Sequence, residues 1–294
     1  MEQRLSAAGR EFMAKARVEI AARCDDARFA GLISLTSRHV SASSLSPGPE
    51  ELSAAAACLA GWNPERWTLR EAARVDLLLA LPDAGNARGE RAIEAAFAFA
   101  DAGELCALYR GMALLPEAQR FVARVAEGAR SNIRAVFEAA ICDTPYPARY
   151  FVDFAWRQCV IKALFIEAPL WRVHGLDARL DAELARMALD LAEERRSAGR
   201  QVNPQQWLCL GAHGGERGLR ALLAELGQGS SQGRAAAALA LGRLSATQRS
   251  TVDFAGLLAQ QPDPPVQTAL RRAQAGLPTQ FEFRPFDGPV PKVV

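Results

Sequence analysis

Apolar residues recur at three- and four-residue intervals along nearly all of this chain, and the two-residue alternation of a strand is almost absent. That pattern predicts one fold class: an all-α, multi-helix protein in which each helix buries one apolar face against its neighbours. With 294 residues, half of them apolar, the chain is long enough for a sizeable core.

Local signals place the helices. The first is predicted from about Ser6 to Cys24, and a Ser- and Pro-rich stretch, Ser41 to Pro49, breaks the pattern before a second begins after Glu50. Thr68-Leu69-Arg70-Glu71 has capping-box form and predicts a helix that Pro82 closes. Further helices are expected near Arg88 to Ala100, Gly103 to Arg110, Pro116 to Ile141, Ala148 to Ile166 and Asp181 to Ser197, with Asp143 to Pro147 a stiff, non-helical corner. Asn203-Pro204 reads as a helix start. Shorter helices follow near Glu216 to Leu226, Ser231 to Leu244, Asp253 to Gln260 and Pro264 to Ala275. The expected architecture is an irregular HEAT-like or α-α superhelical array without a strict repeat. It divides into a helical core over 1–211, HEAT-like helices over 212–276 and an extended Pro- and Phe-rich tail over 277–294. In that tail Phe281, Phe283 and Phe286 are candidates to pin it to the body or to a partner.

Composition narrows the function classes. Thirty-five basic residues against thirty-three acidic ones leave a formal charge of +2, which gives neither a basic field for nucleic acid nor a polybasic membrane anchor. Six scattered cysteines without a C-x-x-C pair read as small core residues in a reducing compartment. The N-terminal residues lack a hydrophobic signal core, and no apolar run approaches the ~20 residues of a membrane span. A cytoplasmic location is therefore expected.

The most informative segment runs from Glu127 to Glu138. On one continuous helix, Val122, Ala126, Ala129, Ile133, Val136 and Ala140 form a core-facing stripe, and Glu127, Arg130, Arg134 and Glu138 form a second. Gly128, Asn132, Ala135 and Ala139 make a third face of mostly small residues. The charged stripe is either a solvated salt-bridge ladder or an anion clamp, since paired arginines grip carboxylate or phosphate in bidentate fashion. In the next helix Asp153 and Arg157 are four apart, as are Gln158 and Lys162, and the two pairs lie roughly 140° apart around the axis. One solvent face cannot hold both, so one pair is expected inward, where Lys162 must snorkel, pair with Glu127 or Glu138, or line a cavity.

The loop Trp171 to Asp177 carries Arg172, His174 and Asp177. His174 is suited to proton transfer near neutral pH, or else is a surface or capping residue. Tyr109, Arg110 and Tyr146 are candidate hydroxyl and guanidinium donors. Metal-ligating spacings, nucleophile elbows and phosphate-binding glycine loops are missing, so neither metal nor cofactor is expected.

At these same residues the chain resembles the EboA family of bacterial proteins. The similar stretches are Ala107 to Pro116, Ala126 to Glu138, Asp143 to Pro147, Lys162 to Phe165, Pro169 to Asp177, Glu193 to Arg195, and Gly199-Arg200. The resemblance runs from about Trp62 to Leu210 and loosens on either side. It implies a place in conserved bacterial gene clusters for secondary-metabolite production or export. Companions there resemble a membrane prenyltransferase, a dehydroquinate-synthase-like cyclase, a hydrolase, a sugar-phosphate-isomerase-like protein and a phosphodiesterase-like protein. Other proteins of the cluster, the membrane prenyltransferase among them, are thus expected partners.

Three functions compete. The first is a protein that binds and hands on a small anionic metabolite, cyclitol-, sugar- or shikimate-like. Its expected ligand contacts are Tyr109, Arg110, Glu127, Arg130, Asn132, Arg134, Tyr146, Gln158, Lys162, Arg172 and Asp177. The second is an enzyme with His174 or Glu138 as acid–base group. The third is a helical scaffold that docks another pathway protein through its tail or C-terminal helices.

Overall fold

A computed structural model describes residues 2–286. Among them the chain is helical throughout, without strands, and the only β pairing is an isolated bridge between Ser44 and Thr68. No helix among these residues is long and apolar enough to cross a membrane. The chain forms two compact units, one running to Trp156 and one from Arg157 onward. Residue 211, the expected division, falls inside the second.

Side-chain caps start most helices of the first unit, each worth about 1 kcal/mol. Ser6 accepts the Gly9 amide to open α1 (Ala7–Ala21), and Asp25 accepts that of Arg28 to open α2 (Asp26–His39). The apolar pattern alone does not mark α2. After α3 (Pro49–Cys58), the Thr68 capping box forms as expected: Glu71 N–H donates to Thr68 Oγ1 at 3.1 Å, and Thr68 N–H to Glu71 Oε2 at 2.7 Å. It opens α4 (Leu69–Leu79). Asn86 caps α5 (Ala87–Ala98), and an Asp101–Glu104 box opens α6 (Ala102–Gly111). Helix α2 packs on α4 and α5, and α4 packs on α6. Phe29, Leu32, Leu77, Leu78, Ile93 and Leu108 fill the space between them.

The expected single helix from Pro116 to Ile141 is broken. A 3₁₀ turn, Ala118–Phe121, leads into α7 (Val122–Gly128), and a separate helix, α8 (Arg134–Ile141), follows. The interruption has a local cause. Ser131 Oγ accepts the Ile133 amide at 3.1 Å, a side-chain turn that competes with the helical ladder. Ile133 takes an extended backbone and is 52% exposed, so it leaves the predicted core stripe. The corner at Asp143 to Pro147 is also partly helical. Asp143 takes a left-handed φ of 57°, and α9 (Tyr146–Tyr150) begins with Pro147 in its first turn, where proline costs no hydrogen bond. Extended backbone at Phe151 then separates α9 from α10 (Asp153–Phe165), in place of one helix over 148–166.

In the second unit Asp181 caps α11 (Ala182–Ser197), and Asn203 opens a 3₁₀ helix, Pro204–Cys209, not an α-helix. Helix α12 (Gly215–Gln228) and α13 (Ser231–Leu241) pair next, and α14 (Ala246–Arg249), α15 (Phe254–Gln260) and α16 (Pro264–Ala275) complete the set. Every residue from Ala235 to Leu241 is buried. A helix buried on all sides must be small, and α13 meets that need with alanine, so α12 and α16 both pack against it. The tail departs from the expected extended form: Gln280–Phe286 is a 3₁₀ helix whose Phe283 is fully buried. The tail from 287 on lies outside the described residues.

Candidate functional site

Several expected ligand contacts in the first unit are used by the chain itself. Arg110 Nε donates to Glu71 Oε1 at 3.0 Å, and its guanidinium lies 5.9 Å from the Trp67 ring centre. Glu71 therefore both caps α4 and binds α6. Tyr109 packs its ring 4.9 Å from that of Phe97, and burial pushes its hydroxyl up to about 12. A Cβ on Gly128 would come within 2.7 Å of the Tyr109 ring and 2.9 Å of Ala140, so only glycine fits there. Tyr146 is buried and donates its hydroxyl to the Ala118 carbonyl at 2.6 Å. Burial raises its pKa as well.

The Glu127–Arg130–Arg134–Glu138 stripe does not form, because the break after Gly128 changes the helical phase. Glu127 pairs instead with Arg124 at 2.5 Å, which also pairs with Glu94 and lies 5.1 Å from the Phe97 ring centre. Arg130 and Asn132 are exposed. Arg134 and Glu138, one turn apart on α8, close a half-buried ion pair at 2.7 Å. Of the two arginines of the expected clamp, Arg130 thus lies within the break and Arg134 begins α8.

In the second unit Gln158 is exposed and Lys162 half-buried. Arg157 holds Asp181 with two contacts of 2.9 and 2.6 Å, while Asp181 accepts the Leu184 amide at 2.7 Å. Burial alone would raise the Asp181 carboxyl, but the Arg157 guanidinium and the Leu184 amide outweigh it and lower its pKa. In the Trp171–Asp177 loop Arg172 is only 8% exposed and His174 is half-buried. Asp177 is an anchor: it accepts Arg243 Nη2 at 2.5 Å and the Gln280 amide at 2.9 Å.

Near the family-like pair Gly199-Arg200 lies a cleft of about 400 Å³ within the second unit, walled by Arg196, Arg200, Gln201, Glu225, Gln228 and Ser230. Arg196 donates to Glu225 at 2.7 Å and stacks 5.4 Å from the Trp207 ring centre, which fixes its guanidinium. Gly229 and Gly233 leave room for the buried Glu225 carboxylate, since a Cβ on either would approach its Oε1 within 2.5 Å. The guanidinium of exposed Arg200 has no hydrogen-bond or ion-pair partner among the described residues. The sequence marks Gly199 and Arg200 through the family resemblance. It gives no sign that residues 225–230 close around them. Among the described residues no three His, Cys, Asp or Glu side chains are placed to hold a metal.

Compared with known families, residues 1–211 match a model described as metabolite traffic protein EboA. No curated protein and no solved structure matches the chain.

Proposed function

The chain belongs to the EboA family of metabolite traffic proteins, and from that premise we propose that it binds and hands on a small anionic intermediate of a bacterial secondary-metabolite pathway. Cyclitol-, sugar- and shikimate-like phosphates or carboxylates are the class intended. The observation that carries this reading is the cleft beside α11, where Arg200 offers a guanidinium without a partner among the described residues, next to the fixed Arg196. A planar guanidinium engages an oxyanion through two parallel hydrogen bonds, and Gln201 and Gln228 add neutral donors and acceptors for hydroxyl groups.

Isothermal titration with inositol phosphate, glucose 6-phosphate and shikimate tests it. At least one should release saturable heat, and Arg200→Ala should weaken that ligand about tenfold, which corresponds to ~1.4 kcal/mol. Equal affinities for both proteins, or no heat with any of the three, would discard the cleft.

A second placement of the same ligand uses Lys162 and Arg172, and the burial of Arg172 within a family-like loop favours it. Lys162→Ala would then weaken binding while Arg200→Ala left it unchanged. An enzymatic role would use His174, half-buried on that loop, or Glu138 on α8 as its acid–base group. Turnover of a candidate intermediate, abolished in His174→Ala, would establish that role.

A further inference from the structure

The cleft that holds Arg200 also holds a carboxylate with one oxygen to spare. Glu225, near the C-terminal end of α12, lines the cleft and is only 6% exposed. Its Oε2 accepts Arg196 Nη2 at 2.7 Å. Its Oε1 has no hydrogen-bond donor among the described residues, yet it is not sealed from water. That oxygen rests against Gly229, itself part of the cleft wall, and against Gly233 in the first turn of α13. A side chain at either glycine would displace it.

A ligand that fills the cleft shuts water away from Oε1. It must bring a hydrogen-bond donor of its own or leave a buried carboxylate atom unsatisfied. Charge decides which donor. Arg196 and Glu225 cancel, and Gln201, Gln228 and Ser230 are neutral, so Arg200 supplies the net charge of the wall. A monoanion balances it. A phosphate dianion would bring excess negative charge beside Glu225, and an ammonium zwitterion would leave the charge of Arg200 uncompensated. Hydroxyl groups donate without adding charge.

Building on the anion cleft proposed above, we infer that it selects a polyhydroxylated monocarboxylate. Arg200 takes the ligand carboxylate through two parallel hydrogen bonds, and Glu225 Oε1 accepts a ligand hydroxyl. Glu225 is then the residue that separates such a ligand from its deoxy analogue.

Shikimate and cyclohex-1-enecarboxylate form the test pair, because they share ring and carboxylate and differ only in hydroxyl groups. Titration of the full chain, followed by NMR through the Gly199 and Gly229 amides, reads both affinities at the cleft itself. Wild type should prefer shikimate about thirtyfold, the worth of one charge-assisted hydrogen bond. Glu225→Gln should cut that preference to about threefold. Arg196 only donates, so the amide oxygen must face it, and the NH2 group takes the place of Oε1. The preference compares two ligands on one protein, so a general change in anion affinity cancels.

A second measurement needs no variant: on wild type the Glu225 carboxyl-carbon resonance should move with shikimate and stay fixed with the deoxy acid. Equal affinities for the two acids, a preference unchanged in Glu225→Gln, or a carboxyl resonance indifferent to shikimate would overturn the inference and leave the anion cleft standing. Binding of glucose 6-phosphate but not of shikimate would do the same. Failure of every one of these anions to bind would remove both.

Discussion

Asp177 and Gln280, 103 residues apart, exchange two hydrogen bonds: the Gln280 amide donates to Asp177 Oδ2 at 2.9 Å, and the Asp177 amide to Gln280 Oε1 at 3.1 Å. Gln280 Nε2 also donates to the Trp171 and Val173 carbonyls at 2.8 and 2.9 Å. Arg243 ties the same carboxylate to the Pro278 carbonyl, and Arg284 lies 5.4 Å from the Trp171 ring centre. The family-like loop with Arg172 and His174 is thus held by a C-terminal segment beyond the 1–211 match.

Gln280→Ala removes an acceptor and a donor at once and strips partners from two loop carbonyls. With three side-chain hydrogen bonds lost, it should destabilise the second unit by about 3 kcal/mol, at net values near 1 kcal/mol per hydrogen bond. Urea unfolding monitored by tryptophan fluorescence measures this. An unchanged midpoint would show that Arg243 and Phe283 suffice to hold the loop.

Glu71 carries the next prediction, since one oxygen caps α4 and the other pairs with Arg110. Glu71→Ala should cost about 2–3 kcal/mol, because it loses the cap and leaves a mostly buried guanidinium without its carboxylate. Glu71→Gln should recover part of the loss by keeping an acceptor for the cap. Thermal unfolding of the three proteins should rank wild type, Gln and Ala in that order.

At Gly128 the expected effect is steric. Gly128→Ala places a methyl group within 2.7 Å of Tyr109 and should cost about 1–3 kcal/mol by overpacking. Thermal unfolding of Gly128→Ala and of Gly128→Ala with Tyr109→Leu checks the cause. The double variant should be the more stable of the two if the tyrosine ring is the obstacle.

The pH dependence follows from Asp181. Its folded pKa lies below the unfolded value of about 3.9, so the Arg157 link contributes stability above that value. The contribution fades as pH falls through the folded pKa. Thermal midpoints between pH 7 and pH 3 should fall less steeply for Asp181→Asn than for wild type. Parallel curves would remove Asp181 from the acid response.

Thiol access should divide the cysteines. Cys58 is exposed, while Cys106, Cys142, Cys159 and Cys209 are buried, and burial pushes the Cys159 and Cys209 thiols up to about 12. A disulfide reagent applied to the native chain at pH 8 should modify Cys58 first, with those four reacting only after unfolding. Peptide mass spectrometry reads the order.

Helices whose starts are written locally were legible from the sequence. Thr68 with Glu71 and Asp181 before α11 behave as their neighbours dictate. The break at Ser131 was not, because a serine that turns back on the backbone and one that points outward from a helix look alike in sequence, and the two differ by little in energy. The candidate site fared similarly. Arg134 and Glu138 form the i, i+4 pair that spacing allows. Arg110, Arg157 and Asp177 instead take partners 39, 24 and 66 or more residues away.

The sequence by itself determined that this chain is helical, where most helices begin, and to which family it belongs, because caps, periodicity and family motifs act through neighbours along the chain or through runs of identical residues. Only the tertiary structure decided which charges are consumed as internal ties and which, like Arg200, have no partner among the described residues. An ion pair is made by groups that packing brings within a few ångströms, and spacing along a helix fixes such distances only for residues about one turn apart.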